Sequence, residues 1–119
     1  MIVCLMIGAV AAMQEPTIDS LLKQVDAKRM RATIEKLASW NTRNTNTPEC
    51  VQAAEWIAGE YRKIPNLQVE LFKYPIKKGS RIPEDKEAVE VVAVLPGRTN
   101  RRILVGGHFD TINMTQGAI

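Results

Sequence analysis

Between Arg102 and His108 the chain reads Ile-Leu-Val-Gly-Gly, three branched apolar residues in succession with no polar residue among them. Successive side chains of a strand point to opposite faces, so a strand with one face in water alternates apolar with polar residues. A run without alternation needs cover on both faces, the situation of a sheet flanked by helices. Residues Arg102 to Gly107 are therefore expected to be a buried strand, and an open two-layer sheet is a poor home for them. The chain must supply helices to cover that strand and further strands to pair with it.

Both are legible upstream. "TIDSLLKQVDAKRMRATIEKLASW" carries apolar residues at Ile18, Leu21, Leu22 and Val25, then at Met30, Ile34, Leu37 and Ala38, the three-and-four spacing of amphipathic helix. The phase changes near Asp26, a good N-cap, which predicts two helices rather than one. "NTRNTNT" is a loop by composition. Thr47-Pro48 then opens a helix, a hydroxyl to cap it and proline at its first position. This helix is expected from Pro48 to about Lys63, with Val51, Ala54, Ala58 and Tyr61 inward and Trp56 or Ile57 beside them. From Leu67 the period becomes two, Leu67, Val69 and Leu71 alternating with Gln68 and Glu70, a half-buried strand. "PIKKGSRIPEDKE" is an exposed loop, Ala88 to Leu95 a second strand, and Pro96-Gly97 the turn that closes it. Helices first and sheet afterwards predict an α/β architecture, N-terminal helices followed by strands of a mixed sheet flanked by helices. No internal repeat, low-complexity tract or second domain is visible.

At 119 residues, 45% hydrophobic and 24% charged, the chain has the length and composition of one ordinary globular domain. Its net charge of +3 comes from Lys and Arg spread along the sequence, with small clusters at Lys73/Lys77/Lys78/Arg81 and Arg98/Arg101/Arg102. Apart from Phe72 and Tyr74 on either side of Lys73, no aromatic residues interleave with these clusters to stack bases, so they read as solvated loop charge and no nucleic-acid partner is expected. The opening block "MIVCLMIGAVAA" is free of charged side chains and ends in small residues at Ala9, Ala11 and Ala12 that suit a signal peptidase. It lacks a basic leading region and is too short to span a bilayer, which takes ~20 apolar residues. The expected division is a signal peptide over residues 1–14 and a domain over 15–119, with an extracytoplasmic location, secreted or periplasmic. Cys4 would leave with the signal, so Cys50 would have no internal partner for a disulfide.

His108, the single histidine of the sequence, follows Gly107 directly, at the carboxyl end of the predicted strand, where open α/β sheets gather functional groups. The two glycines allow a tight turn or a close backbone approach. Residues two apart in an extended segment project to the same side, so Asp110 can sit beside the imidazole. There it can accept one ring N–H, fixing the tautomer and leaving the other nitrogen a better metal ligand. The same triplet also suits a histidine hydrogen-bonded to a neighbouring aspartate at a strand end with no further role. The residues alone leave both readings open.

"ILVGGHFDT" resembles the first metal-ligand strand of the M28 family of zinc metallopeptidases, the double-zinc aminopeptidases, in which an apolar strand leads into G-x-H-x-D-[ST]. "LASWNTRNTNTPECVQAAEWIAGEYRKI" is similar to the family's N-terminal segment, where a T-R loop leads into a helix with an A-x-W-I stretch. "VEVVAVLPG" is similar to the strand and L-P-G turn before the ligand strand. The resemblance runs from Leu37 to the end, in the family's order, with Phe109 where tyrosine is common and Gly107 where alanine often stands.

It implies a zinc-peptidase (phosphorylase/hydrolase-like) fold, truncated, of which residues 15–119 are the N-terminal part. It also implies a two-zinc site in the intact enzyme, a peptide substrate, and an aminopeptidase activity removing residues from peptide N-termini. Carried over residue by residue, His108 is a zinc ligand and Asp110 the carboxylate that orients it, while Thr111 receives no role. No catalytic residue is expected within these 119 residues: "TQGAI" resembles the approach to the family's bridging aspartate, which would lie beyond it. The chain alone is therefore expected to be inactive. Two rivals remain, a glutaminyl cyclase-like cyclotransferase with a related single-zinc site, and a peptidase-like domain that has lost its metal and binds a partner. No membrane span is expected, and the sequence is silent on oligomeric state.

Overall fold

The computed structural model describes residues 16–113. The expected signal peptide and "TQGAI" lie outside the described residues. The described elements are helices α1 (Ile18–Leu22), α2 (Ala27–Ala38) and α3 (Pro48–Arg62), then strands β1 (Gln68–Ile76) and β2 (Lys86–Val94). The architecture is mixed α/β, three helices and a two-stranded antiparallel sheet packed against α3.

The helix boundaries follow local chemistry. Asp26 caps α2, its Oδ1 accepting from the backbone N–H of Lys28 (2.8 Å) and Arg29 (3.4 Å). Thr17 does the same for α1 through Ser20 N–H. Thr47 occupies the cap position of α3 but does not cap it with its side chain; its hydroxyl donates to the Asn44 carbonyl at 2.9 Å. Asn66, at φ 63°, takes the left-handed conformation that turns the chain from α3 into β1, a conformation asparagine tolerates better than most.

The core is small and built on α3. Cys50, Ala53, Ala54 and Ala58 are buried along the helix, with Ala88 facing from β2. Three alanines on one stripe let the sheet approach α3 closely. Ala54 and Ala58 lie inward as expected, whereas the expectation for Val51 and Tyr61 is corrected: both are exposed, and Cys50 and Ala53 take the other inner positions. A helix with many small residues does not show from periodicity alone which side meets the sheet. Strands β1 and β2 pair in continuous register from Gln68↔Val94 to Ile76↔Lys86.

Two expectations fail on the apolar segments. Residues 102–107 form no strand; Ile103, Leu104 and Val105 are 95%, 96% and 89% exposed. A strand is stabilised by neighbours on its edges and cover on its faces, and among the described residues neither reaches this run. Likewise α1 and α2 bury none of their residues, so Ile18, Leu21, Leu22, Val25, Met30 and Ile34 stay exposed. The tie from α2 to the rest lies at its C-terminal end. There Trp40 meets Trp56 of α3 edge to face (centroids 6.1 Å, 62°), Lys36 Nζ sits 4.5 Å over the Trp40 ring, and Trp40 Nε1–H donates to Gln52.

Candidate functional site

The loop between α2 and α3, Asn41 to Thr47, and the segment Phe109 to Asn113 are far apart in sequence and joined in space. Arg43 is the centre of that junction. Its backbone N–H donates to Thr111 Oγ1 (2.9 Å) and its carbonyl accepts from Thr111 N–H (3.2 Å). Its Nε–H donates to the Phe109 carbonyl (2.7 Å), and a terminal nitrogen of the same guanidinium donates to the Leu37 carbonyl at the end of α2. The Asn44 side-chain amide donates to the carbonyls of Thr111 (3.1 Å) and Ile112 (2.9 Å). Thr42, 2% exposed, donates from its hydroxyl to the Asn113 carbonyl and accepts from Asn44 N–H (3.0 Å).

The loop is held from its other side too. Lys86 Nζ donates to the Thr45 carbonyl, and Asn46 Nδ2 to the Arg81 carbonyl of the β1–β2 loop (2.9 Å). Asn44 Oδ1 accepts from Asn46 N–H (2.9 Å). The other side-chain atom of Asn46, Oδ1, is buried without a partner among the described residues.

His108 and Asp110 lie immediately before the anchored residues. Nδ1 of His108 is 3.0 Å from Asp110 Oδ1. With the carboxylate accepting, the ring proton sits on Nδ1 and the lone pair of Nε2 points away from the pair, the arrangement of a histidine prepared to ligate through Nε2. The imidazole is 96% exposed and the Asp110 side chain 42%. Gly106 and Gly107 have open space around them, a side chain there meeting nothing within 4 Å, so the close approach expected of them is not made within the described residues.

One imidazole and one orienting carboxylate fit part of a metal site. A catalytic zinc takes three protein ligands and keeps a further position open. Among the described residues no group of three or more His, Cys, Asp and Glu side chains could hold a metal ion. Of the nearby acids, Asp85 accepts from Lys77 Nζ (2.6 Å) and Lys78 N–H (2.9 Å), which hold its carboxyl below the usual range, and Glu87 of β2 lies 3.9 Å from Lys73 Nζ of β1. Cys50 is buried near the junction. Its thiol is pushed above the ordinary value of 9.0, first by burial and then by the charge of Asp110, with Lys86 and Arg43 pulling it back.

The contact between His108 and Asp110 was legible from their spacing. Thr42, Arg43, Asn44 and Thr111 were not, although the T-R pair and the threonine after H-x-D were visible as letters. Their signal was the density of short polar side chains in a single loop, since Ser, Thr, Asn and Asp compete for backbone groups and can substitute for a ladder.

The chain is similar to fungal aminopeptidases. It is 30% identical over 104 residues to leucine aminopeptidase 1 of Pyrenophora tritici-repentis, a match covering 82% of this chain and 24% of that protein. It is 30% identical over 97 residues to leucine aminopeptidase 1 of Metarhizium robertsii, with the same coverages. With that of Aspergillus clavatus it shares 26% identity over 103 residues, 80% of this chain and 24% of the relative. The chain thus spans about a quarter of the length of the curated relatives it matches. No family model matches it, and no solved structure matches significantly. These alignments establish distant homology, over most of this chain, to leucine aminopeptidase 1 of the M28 family.

Proposed function

We propose that this chain, a distant homologue of the fungal leucine aminopeptidases, is the ligand-bearing N-terminal part of a zinc-dependent exopeptidase that removes residues from peptide N-termini. The observation that carries this reading is the His108–Asp110 pair, held at 3.0 Å with Nε2 left to ligate, in a sequence that aligns with aminopeptidases. His108 Nε2 would be one ligand of a two-zinc site, and Asp110 would orient its ring. Among the described residues no group of three or more His, Cys, Asp and Glu accompanies His108, and the chain spans about a quarter of each relative's length.

When bound, a zinc pair supplies Lewis acidity that lowers the pKa of a water and stabilises developing negative charge on the scissile carbonyl. The part played by this chain is narrower. Asp110 keeps the proton on Nδ1, and the junction with Arg43 holds the backbone on the C-terminal side of the ligand. The finer fold belongs to the same proposal: α3 and the β1–β2 hairpin form part of a peptidase-type α/β layer with a mixed sheet.

The test is a comparison of zinc content and leucyl-peptide hydrolysis in the longer protein carrying this sequence, with the 119 residues alone as the arm expected to show neither tight zinc nor turnover. His108→Ala is expected to abolish hydrolysis and empty one zinc position. Asp110→Asn should leave the fold and weaken zinc by roughly 10- to 100-fold, the usual cost of losing a group that orients a ligand. Full zinc and full rate in His108→Ala would overturn the reading.

A further inference from the structure

We propose that Arg43, assisted by Thr42 and Asn44, is the positioning residue for the His108 ligand, a role that rests on the reading of His108 given above. The segment carrying His108 is otherwise poorly held. On its N-terminal side lie Ile103, Leu104 and Val105, each about nine-tenths exposed or more and in no ladder, and two glycines with open space around them. On its C-terminal side every residue from Phe109 to Asn113 except Asp110 gives a backbone or hydroxyl group to the loop at Thr42 to Asn44. Asp110, the exception, is the residue bonded to the imidazole. The contacts therefore flank the His-x-Asp pair and leave both of its side chains to each other.

The guanidinium is the part of this arrangement that a different residue replaces least well. Its Nε–H reaches the Phe109 carbonyl, between His108 and Asp110, while a terminal nitrogen reaches the Leu37 carbonyl in the last turn of α2. Two donors fixed in one plane span two backbone acceptors that belong to different parts of the chain. A lysine keeps the charge at a single point and cannot present that planar pair. Fixing the Phe109 carbonyl sets the peptide plane joining Phe109 to Asp110, and with it the distance between the ring of His108 and the carboxylate that orients it. Coordination depends on that orientation, because a ligand held in one tautomer and one direction loses less freedom on binding.

The experiment needs no metal, so it separates this inference from the peptidase reading. The complete 119-residue chain is labelled with nitrogen-15, and two signals are followed by NMR: exchange of the Thr111 amide, which donates to Arg43, and the ring nitrogen shifts of His108, which report the share of the Nδ1–H tautomer. In Arg43→Ala the Thr111 amide is expected to exchange roughly tenfold faster, and the Nδ1–H share to fall, while the amides of α3 keep their protection. Arg43→Lys is expected to recover little of the tautomer signal. Asp110→Asn should alter the ring signal and leave Thr111 protected. Should Arg43→Ala lose its fold, Asn44→Ala removes two donors to the same segment and carries the same expectation in smaller measure.

An unchanged His108 ring signal in the folded Arg43→Ala or Asn44→Ala chain, or full recovery by Arg43→Lys, would overturn the proposal. The peptidase reading would survive such a result. Conversely, retention of zinc and rate by His108→Ala in the longer protein would end the ligand assignment while leaving the anchoring of Phe109 to Asn113 in place.

Discussion

The loop from Thr42 to Asn46 and the run from Ile103 to Val105 exchange the roles their compositions suggest. The loop is polar at every position, yet Thr42 is 2% exposed and its neighbours join α2, the hairpin loop and the His108 segment. The run is wholly apolar, yet Leu104 is 96% exposed. The difference lies in what each kind of group needs to become buried. Hydroxyl and amide side chains carry donors and acceptors a bond or two from the backbone, so a short loop can satisfy itself and a second segment with few residues. Apolar side chains bring a large but non-directional drive, realised only where other surface is present to be covered. Burial is thus a property of a residue with its partners, and the loop has its partners within the described residues.

The sharpest way to break the comparison is to make the loop apolar. Thr42→Val keeps the shape of the side chain and removes its hydroxyl, taking the acceptor from Asn44 N–H and one donor from the Asn113 carbonyl. The expected loss is about 1–3 kcal/mol of stability, the cost of a buried polar group left unsatisfied. Thr42→Ser, which retains the hydroxyl, should recover most of it. Urea unfolding of the two variants beside the parent chain measures this. If Val is tolerated as well as Ser, the loop is not the polar core described.

The same contrast explains what the sequence made legible. Asp26 announced a helix start because capping is local, and the change of period near Leu67 announced strands because alternation is local. The His108–Asp110 contact was within reach for the same reason, two residues on one side of an extended segment. The Arg43–Thr111 junction joins residues 68 apart, and no local pattern marks which loop will bond to which segment. The burial of Arg102 to Gly107 was inferred from a demand for neighbours, and a demand does not supply them. The inner face of α3 was misjudged more mildly: alanines have little hydrophobic weight, so the larger Val51 and Tyr61 dominated a pattern that Ala53 and Cys50 decide in space.

Cys50 offers a smaller test of the loop side. It lies in the first turn of α3, its N–H donating to the Thr47 carbonyl, and burial is the main reason its thiol is raised. A group whose folded pKa lies above its unfolded value contributes stability that is complete below the unfolded value and is lost as pH rises through the folded one. The parent chain, kept reduced, is therefore expected to lose stability above about pH 9, and to lose more than Cys50→Ala does over the same range. Urea midpoints between about pH 7 and 10 check the difference, which should be smaller than the effect of Thr42→Val because no bonded partner is removed. Parallel pH curves for the two chains would show that the thiol beneath the loop is as well solvated folded as unfolded.

The smallest effect is expected where the composition suggests the largest. Leu104→Asp places a charge in the middle of the apolar run, a change that in a covered strand would strand an ion in a low-dielectric interior. In the 119-residue chain the side chain is almost wholly in water, so stability should change by no more than about 0.5 kcal/mol, as for surface substitutions away from special features. What should change is association. Three consecutive exposed apolar residues, in a chain whose hairpin has outer edges unpaired among the described residues, favour contact between copies, and a charge there opposes it. Sedimentation velocity across a range of concentrations is expected to show less self-association for Leu104→Asp than for the parent, with matching urea curves at low concentration. A loss of roughly 2 kcal/mol or more in the dilute monomer would mean that Leu104 is covered in solution, and the run would then rejoin the core from which its exposure excludes it.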